Sequence, residues 1–310
     1  MYLITGCCGF IGSHLTEYYL KKNIEIIGID SMNNYYDITQ KYKNLEILNT
    51  YSNFKFYKNN ILEFDLKKIN IPTKIIHLAS YAGVRNSIIN PQLYFNNNIQ
   101  STIILLEYCK CNNIKYFYFA SSSSVYGLNK KIPFEETDEL LSPNSPYAVS
   151  KITQENIAKL YTQLYRINTV GFRFFTVYGE RGRPDMAYYK FIKLILEGKE
   201  IEIYGDGNTY RDYTYIKDII QGINLLVSKN IKGNNVYNIS YGAPIILNDF
   251  VNEIEIILNK TIKKKYIDVQ KGDVPYTYAD ISKIKKLGYK PKYNLNNGLK
   301  QTIKWMINNI

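Results

Sequence analysis

The chain has 310 residues, 45% hydrophobic and 21% charged, and its 39 Lys and Arg exceed its 27 Asp and Glu to leave a net charge of +12. A chain of about 300 residues can bury roughly three quarters of its unfolded surface, so it needs no staples to fold, and its apolar share excludes wholesale disorder. The positive surplus favours anionic partners, but its sign alone does not separate nucleic acid, a membrane surface and a phosphorylated small molecule.

In chain order, β-rich runs at 2–5, 24–30, 54–57, 74–78, 116–121 and 169–175 alternate with helical patterns at 10–22, 92–112 and 145–165. Such alternation predicts a parallel sheet covered on both faces and wound by right-handed crossovers. The runs at 24–29 and 116–120 are nearly all apolar, as central parallel strands should be. After residue 176 the helices shorten, at 187–197, 216–227, 247–258 and 295–308, and Pro, Gly and Tyr become more frequent. The expected division is a first domain over 1–176, to which the chain returns around 214–240, and a smaller mixed α/β lobe over 177–310.

Lysines 263–265, 283, 285, 286, 290 and 292 hold much of the positive surplus. No zinc finger, helix-turn-helix or aromatic RNA-binding motif accompanies them, so they read as a solvated face and no nucleic-acid partner is expected. No apolar run reaches the ~18 residues that span a bilayer. Met1 leads directly into a strand and a glycine loop, so neither a cleaved leader nor a membrane partner is expected. Cys7 and Cys8 are adjacent, Cys109 and Cys111 sit two apart, and the only histidines, His14 and His77, lie elsewhere. That pattern suits neither a disulfide framework nor a metal site, and predicts buried or half-buried free thiols in a reducing, cytoplasmic compartment.

Thr5-Gly6-Cys7-Cys8-Gly9-Phe10-Ile11-Gly12 follows the first strand and opens the first helix. The glycines permit a tight turn, close approach of backbone to a pyrophosphate, and close helix–strand packing, while the helix N-terminus offers free N–H groups to phosphate. Asp30 ends the second strand, where a carboxylate accepts from both adenosine ribose hydroxyls and repels a 2′-phosphate. The cofactor expected is therefore NAD rather than NADP.

Tyr147-Ala148-Val149-Ser150-Lys151 opens a helix behind Pro143 and Pro146, with Tyr147 and Lys151 one turn apart on one face. A free phenol has a pKa near 10, and lowering it by about three units corresponds to roughly 4 kcal/mol of differential interaction. A neighbouring ammonium and a cationic nicotinamide both push in that direction, which would make Tyr147 a base toward a substrate hydroxyl. Among 31 tyrosines the spacing alone says little. Its partner is Phe119-Ala120-Ser121-Ser122-Ser123-Ser124-Val125-Tyr126-Gly127, where small hydroxyl side chains follow a buried strand at the edge where doubly wound sheets bind ligands.

Glycine loop, serine-rich strand end and Tyr-x-x-x-Lys together resemble the extended short-chain dehydrogenases/reductases, the NAD-dependent epimerase/dehydratase family. Within that group, Asn33-Asn34-Tyr35-Tyr36-Asp37, Ala82-Gly83-Val84-Arg85, Ser121–Gly127, Phe174-Phe175-Thr176-Val177-Tyr178-Gly179 and Gly182-Arg183-Pro184-Asp185-Met186-Ala187 resemble UDP-glucuronate 4-epimerases. The resemblance implies a Rossmann-type doubly wound parallel sheet with a smaller mixed α/β C-terminal substrate lobe. It implies Ser122, Tyr147 and Lys151 as the catalytic triad. It implies Gly6, Gly9, Phe10, Ile11, Gly12, Asp30, Asn60, Ile61, Leu78, Ala79, Ser80 and Asn98, with Tyr147 and Lys151, around NAD. For the substrate it implies Ser123, Ser124 and Thr176 at the sugar carboxylate, Arg183 at the sugar or its phosphate, Arg211 at the diphosphate, Asp273 at the uridine end, and Arg85 and Tyr204 nearby.

Three departures stand out. Asn60 replaces an aspartate, Tyr81 replaces a glutamine, and Glu180-Arg181 replaces a Pro-Trp pair, the last placing two charges where the substrate lobe begins. The activity implied is reversible C4 inversion of UDP-glucuronate to UDP-galacturonate. Tyr147 takes the 4-hydroxyl proton, hydride passes to tightly held NAD, and the 4-keto sugar turns over before hydride returns to its other face. UDP-glucose/UDP-galactose epimerisation is the nearest alternative, followed by decarboxylation to a pentose and by 4,6-dehydration. Dehydration needs an acid and a base where this chain has Ser123 and Ser124. A non-catalytic NAD-sensing protein is the reading from a different class, opposed by the intact triad. A homodimer formed through the helices near 92–112 and 145–165 is expected from the resemblance.

Overall fold

A computed structural model describes residues 1–269 and 272–309. At its centre is a seven-stranded sheet. Six strands are β1 (Tyr2–Thr5), β2 (Ile26–Asp30), β3 (Phe54–Lys58), β4 (Lys74–His77), β5 (Tyr116–Ser122) and β6 (Asn168–Phe174). The seventh, Asn234–Ile239, comes from the second half of the chain and lies against the outer edge of β6. The spatial order is Asn234–Ile239, β6, β5, β4, β1, β2, β3, and every neighbouring pair is parallel. This is the doubly wound parallel sheet that strand–helix alternation predicts. Its strand order reverses between β1 and β4, and at such a switch point the loops diverge to leave a crevice beyond the carboxyl ends.

The period of two explains why both faces are covered. Leu3, Ile27, Ile75 and Phe117 meet Leu105, Leu106 and Ala158 on one side. Their chain neighbours Ile4, Ile26, Ile76 and Tyr118 point into the larger cluster on the other. Burying one Ile or Leu side chain contributes about 1.5–3 kcal/mol, so these layers dominate the stability of the first domain. Helix α1 (Phe10–Leu20) starts within the glycine loop. The helix Pro146–Tyr165 begins with Pro146 at its first position and with Ser145 Oγ accepting from the Ala148 N–H at 3.1 Å.

Two local expectations change. The helix expected over 92–112 is three pieces, Pro91–Tyr94, a π-helical turn Phe95–Ile99, and Gln100–Cys111. A helix also forms at Thr39–Asn49, where sequence periodicity gives no signal, because it buries only Lys41, Asn44 and Leu48 and has no apolar stripe. The second lobe is mixed as expected. Ile201–Tyr204 pairs with Lys264–Ile267, Tyr210–Arg211 lies between Ile245–Ile246 and Tyr276–Thr277, and the helices Ala187–Leu196, Leu247–Leu258 and Leu295–Asn309 pack around them. No helix among the described residues is long and apolar enough to cross a membrane. Cys7, Cys8 and Cys109 are buried free thiols, but Cys111 is exposed, contrary to expectation.

His77 is buried and His14 is half-buried. His77, at the end of β4, bonds through Nδ1 to Thr5 Oγ1 at 2.7 Å and through Nε2 to Ser101 Oγ at 3.1 Å. Burial, then the Lys151 charge, lowers its pKa from 6.5 to about 3, and burial followed by the Arg181 charge lowers that of His14 to about 4. A base whose folded pKa is depressed loses fold stability as pH drops through the unfolded value, here from 6.5 downward. Buried Asp212, raised to about 6, acts in the opposite sense, since protonation below that pH favours the fold. The expected outcome is that thermal unfolding temperature falls between pH 7 and pH 5 more steeply in wild type than in a His14→Gln/His77→Gln variant. Equal slopes would contradict it.

Candidate active site

A cleft of about 650 Å³ opens at the carboxyl edge of the sheet, between the glycine loop, the ends of β2, β4 and β5, the start of the helix Pro146–Tyr165, and the 183–190 segment of the second lobe. Its volume falls in the range of cofactor and substrate pockets.

Gly6, Gly9, Phe10, Ile11 and Gly12 line one end of the cleft. Gly6 has φ +71°, and a Cβ there would stand 2.7 Å from the Ala79 nitrogen. A Cβ on Gly12 would stand 2.0 Å from the Gly6 carbonyl oxygen. Only glycine lets the loop fold against β4 and α1 together. The N-cap of α1 is Gly9, and no side chain caps the first turn, so the helix presents open N–H groups to the cleft. Asp30, at the end of β2, is 7% exposed, with the Met32 and Cys8 N–H groups donating to its two oxygens at 2.9 and 3.1 Å. Those oxygens keep lone pairs free to accept from hydroxyls. Lys41 Nζ is 3.8 Å away and donates to the Asn33 carbonyl and side-chain oxygens. Asn60, Ile61, Leu78, Ala79 and Ser80 line the same end. These residues fit a dinucleotide, with uncapped N–H groups for its pyrophosphate and a buried carboxylate for its ribose. Asn98 stands apart from the cleft wall. Its oxygen accepts from the Tyr81 N–H and its amide donates to the Tyr81 carbonyl and Ser150 Oγ, so it holds the wall from behind.

Ser122, Tyr147 and Lys151 all line the cleft. Lys151 is 1% exposed, donates to the Ala120 carbonyl at 2.7 Å, and lies 5.8 Å from the Tyr147 ring centre. Burial lowers its pKa to about 7, opposed by the Glu155 charge. Burial raises the Tyr147 phenol above its ordinary value, opposed by the nearby Ser122 hydroxyl and then by the Arg183 charge. The protein alone therefore does not acidify Tyr147 as sequence reasoning expects, because desolvation of the phenolate outweighs its neighbours. Ser122 Oγ accepts from the Ser124 N–H and donates to Ser124 Oγ, both at 3.1 Å, which fixes the turn at the end of β5.

On the substrate side, Arg85, Ser124, Arg183 and Asp273 line the cleft, whereas Ser123, Thr176, Tyr204 and Arg211 do not. Arg85 pairs with Asp273 at 2.9 Å and stacks on the Tyr204 ring at 4.5 Å, so Tyr204 reaches the cleft through Arg85. Arg211 donates to the Tyr210 and Pro275 carbonyls and feels the charges of Asp273 and Arg85. The Thr176 N–H donates to the Asp212 carbonyl, and Phe174, Phe175 and Val177 around it face the cleft instead.

Glu180 and Arg181 do not enter the cleft. Arg181 pairs with Glu17 of α1 at 2.7 Å, which ties the second lobe to the first domain, and Glu180 accepts from Tyr215 Oη at 2.6 Å. Sequence reasoning also missed an aromatic wall. Tyr35 Oη donates to the Ala82 carbonyl at 2.7 Å and meets Tyr94 Oη at 2.6 Å, and the Tyr94 ring sits edge-on to Tyr147 at 6.0 Å. Arg183 lies over the Tyr35 and Tyr36 rings, donates to the Ala82 carbonyl and pairs with Asp185 at 2.6 Å. The Asn33-Asn34-Tyr35-Tyr36 run and the Asp two residues after Arg183 are the only sequence signals for this wall.

Residues 3–302 match the model of the GDP-mannose 4,6-dehydratase family. A UDP-glucuronate 4-epimerase of Thermodesulfobacterium geofontis is 41% identical over 100% of this chain and 97% of its own length. The crystal structure of a UDP-glucuronic acid 4-epimerase from Bacillus cereus in complex with UDP-glucuronic acid and NAD is 38% identical, covers 99% of both chains and superposes with a TM-score of 0.93. A UDP-N-acetylglucosamine 4-epimerase from Methanobrevibacter ruminantium, in complex with UDP-N-acetylmuramic acid, is 34% identical with a TM-score of 0.92 and covers 100% of this chain and 98% of that one.

For the dinucleotide end, Asp30→Ala should weaken NAD binding by about tenfold or more, the loss of a charged hydrogen bond being worth roughly 1.5–3 kcal/mol. It should also bring NADP affinity close to that of NAD. Calorimetric titration with both cofactors checks this, and undiminished preference for NAD would count against Asp30 as the ribose carboxylate.

Proposed function

We propose that UDP-glucuronate is the sugar nucleotide turned over by this chain, which belongs to the GDP-mannose 4,6-dehydratase family and is an NAD-dependent UDP-sugar 4-epimerase. When bound, NAD supplies a hydride acceptor and donor, and its cationic ring favours the phenolate of Tyr147.

The residues divide the rest of the work. Tyr147 takes the proton of the sugar 4-hydroxyl and gives it back after the ring has turned. Lys151, held on the Ala120 carbonyl, stabilises the phenolate, and Ser122 orients the hydroxyl. Residues 1–176, with the returning strand, hold NAD, and residues 177–310 hold the sugar nucleotide. The observation that carries the choice of glucuronate is the wall beside Tyr147. Ser122 and Ser124 offer neutral hydroxyls, and Arg183 brings a cation to the same cleft. A carboxylate gripped there is hindered from the alignment in which a β-keto acid loses carbon dioxide. Ser123 and Ser124 cannot act as the acid and base of a 4,6-dehydration near neutral pH.

A second copy fits the helix Pro146–Tyr165, whose Leu160 and Leu164 lie one turn apart and are 48% and 60% exposed. The buried thiols suit the reducing cytoplasm as its compartment.

NMR of products from UDP-glucuronate should show UDP-galacturonate, with kcat/KM at least about tenfold above UDP-glucose and UDP-N-acetylglucosamine, a difference of roughly 1.4 kcal/mol. Pentose products, or a preference for either neutral sugar, would overturn the carboxylate reading. Tyr147→Phe should retain NAD and lose two to four orders of magnitude in turnover, roughly the contribution of one proton-transfer group. Near-normal turnover would remove Tyr147 from the chemistry. Light scattering should give twice the chain mass for wild type and the monomer mass for Leu160→Glu/Leu164→Glu.

A further inference from the structure

Against the back wall of the cleft, which Ser121 helps to line, lies a buried polar chain that the reaction scheme does not use. Ser121 Oγ donates to Glu155 Oε1 at 2.5 Å. Arg173 holds both oxygens of Glu155, through Nε at 2.9 Å and a terminal nitrogen at 2.7 Å. The other terminal nitrogen of Arg173 donates to Tyr126 Oη at 2.9 Å, which donates to Asn238 Oδ1 at 2.7 Å. Ser121, Glu155, Arg173 and Asn238 are 2%, 8%, 3% and 0% exposed.

The register explains the placement. Glu155 sits one helical turn beyond Lys151 on the same helix. Lys151 bonds the carbonyl of Ala120 while Glu155 bonds the side chain of Ser121, the next residue of β5. Arg173 is the β6 partner directly opposite Ser121. Two adjacent strand positions therefore grip two helix positions one turn apart. Buried ion pairs rarely add net stability, and apolar side chains of similar volume usually serve a core at least as well. Stability alone gives no reason for a carboxylate at 155, and its position one turn from the active ammonium does.

We propose that Glu155, locked by Arg173 and Ser121, is a positioning residue that keeps the Lys151 ammonium charged and aimed inside the dry cleft. The proposal rests on the reading of Lys151 as the partner of Tyr147. The charged and titratable groups facing Lys151 are Tyr147 and Glu155 from its own helix and His77 from β4, with Arg173 of β6 behind Glu155. Of these, Glu155 alone supplies negative charge at neutral pH. Arg173 fixes the carboxylate so that it cannot swing away, and Ser121 holds its inner oxygen toward β5.

The test is the titration of Lys151 by nitrogen NMR of lysine-labelled full-length protein, assigned with Lys151→Met, alongside the pH profile of kcat. Glu155→Gln keeps the shape and removes the charge. Because it leaves Arg173 buried without its partner, Glu155→Gln/Arg173→Met is measured as a second variant that removes both. In folded Glu155→Gln the Lys151 midpoint should fall below the wild-type value near 7 by about one unit, the shift expected from one lost neighbouring charge, and in the double variant it should fall by less, because the cation behind the carboxylate is lost with it. The alkaline limb of the kcat profile should move down with it, and Glu155→Asp should restore both toward wild type. Midpoints that match wild type in folded variants, with kcat merely scaled down across the profile, would overturn the proposal and leave Glu155 a packing residue. The NMR titration needs no substrate, so failure of the UDP-sugar assignment would appear separately, as absence of wild-type turnover.

Discussion

The hydrogen bond from Lys151 Nζ to the Ala120 carbonyl fixes the origin from which the rest of the active site is measured. A buried ammonium is costly unless partnered, and burial already brings its pKa down to about 7. The bond pins the helix Pro146–Tyr165 to the carboxyl end of β5. Tyr147 then lies one turn nearer the helix start, and Ser122 lies two residues further along the strand. Displacing the ammonium would disturb the base and its orienting hydroxyl together.

The sheet decides where that origin sits. All seven strands run parallel, so all their carboxyl ends share one edge. The order turns round between β1 and β4, and the glycine loop after β1, Asp30 after β2 and the Leu78–Ser80 stretch after β4 converge on one crevice. The second lobe closes it from above through two charged contacts, Arg85 with Asp273 and Arg183 with the Ala82 carbonyl. A third contact, Arg181 with Glu17, ties the lobe to α1 outside the cleft. Each of the three uses arginine, whose planar fork can bond and stack at once.

What sequence reading captured was local. The glycine loop, Asp30, the Ser-rich strand end and the Tyr147–Lys151 pair are set by short spacings, and all of them line one cleft. What it missed depends on tertiary approach. The helix Thr39–Asn49 has no apolar stripe to announce it, since its buried residues are Lys41, Asn44 and Leu48. Asn98 sits on a π-helical turn that aims its amide at Tyr81 rather than into the cleft. Glu180 and Arg181 follow a motif that leads to the substrate, yet the chain turns through Arg181 at φ +56° and both charges leave the cleft. The Glu155–Arg173 pair spans a helix and a strand and has no local signature. One hint was available. The chain uses lysine almost throughout and has only six arginines, and five of them, all but Arg166, fall in motif-like segments where a point charge would not do.

The account is tested most directly by a crystal structure of the wild-type protein with NAD and UDP-glucuronate. It predicts Tyr147 Oη within about 2.6–3.2 Å of the sugar 4-oxygen, the reach of direct proton transfer, with the Lys151 ammonium still on the Ala120 carbonyl. A sugar bound with its 4-oxygen beyond reach of Tyr147, and closer to another titratable group, would contradict it.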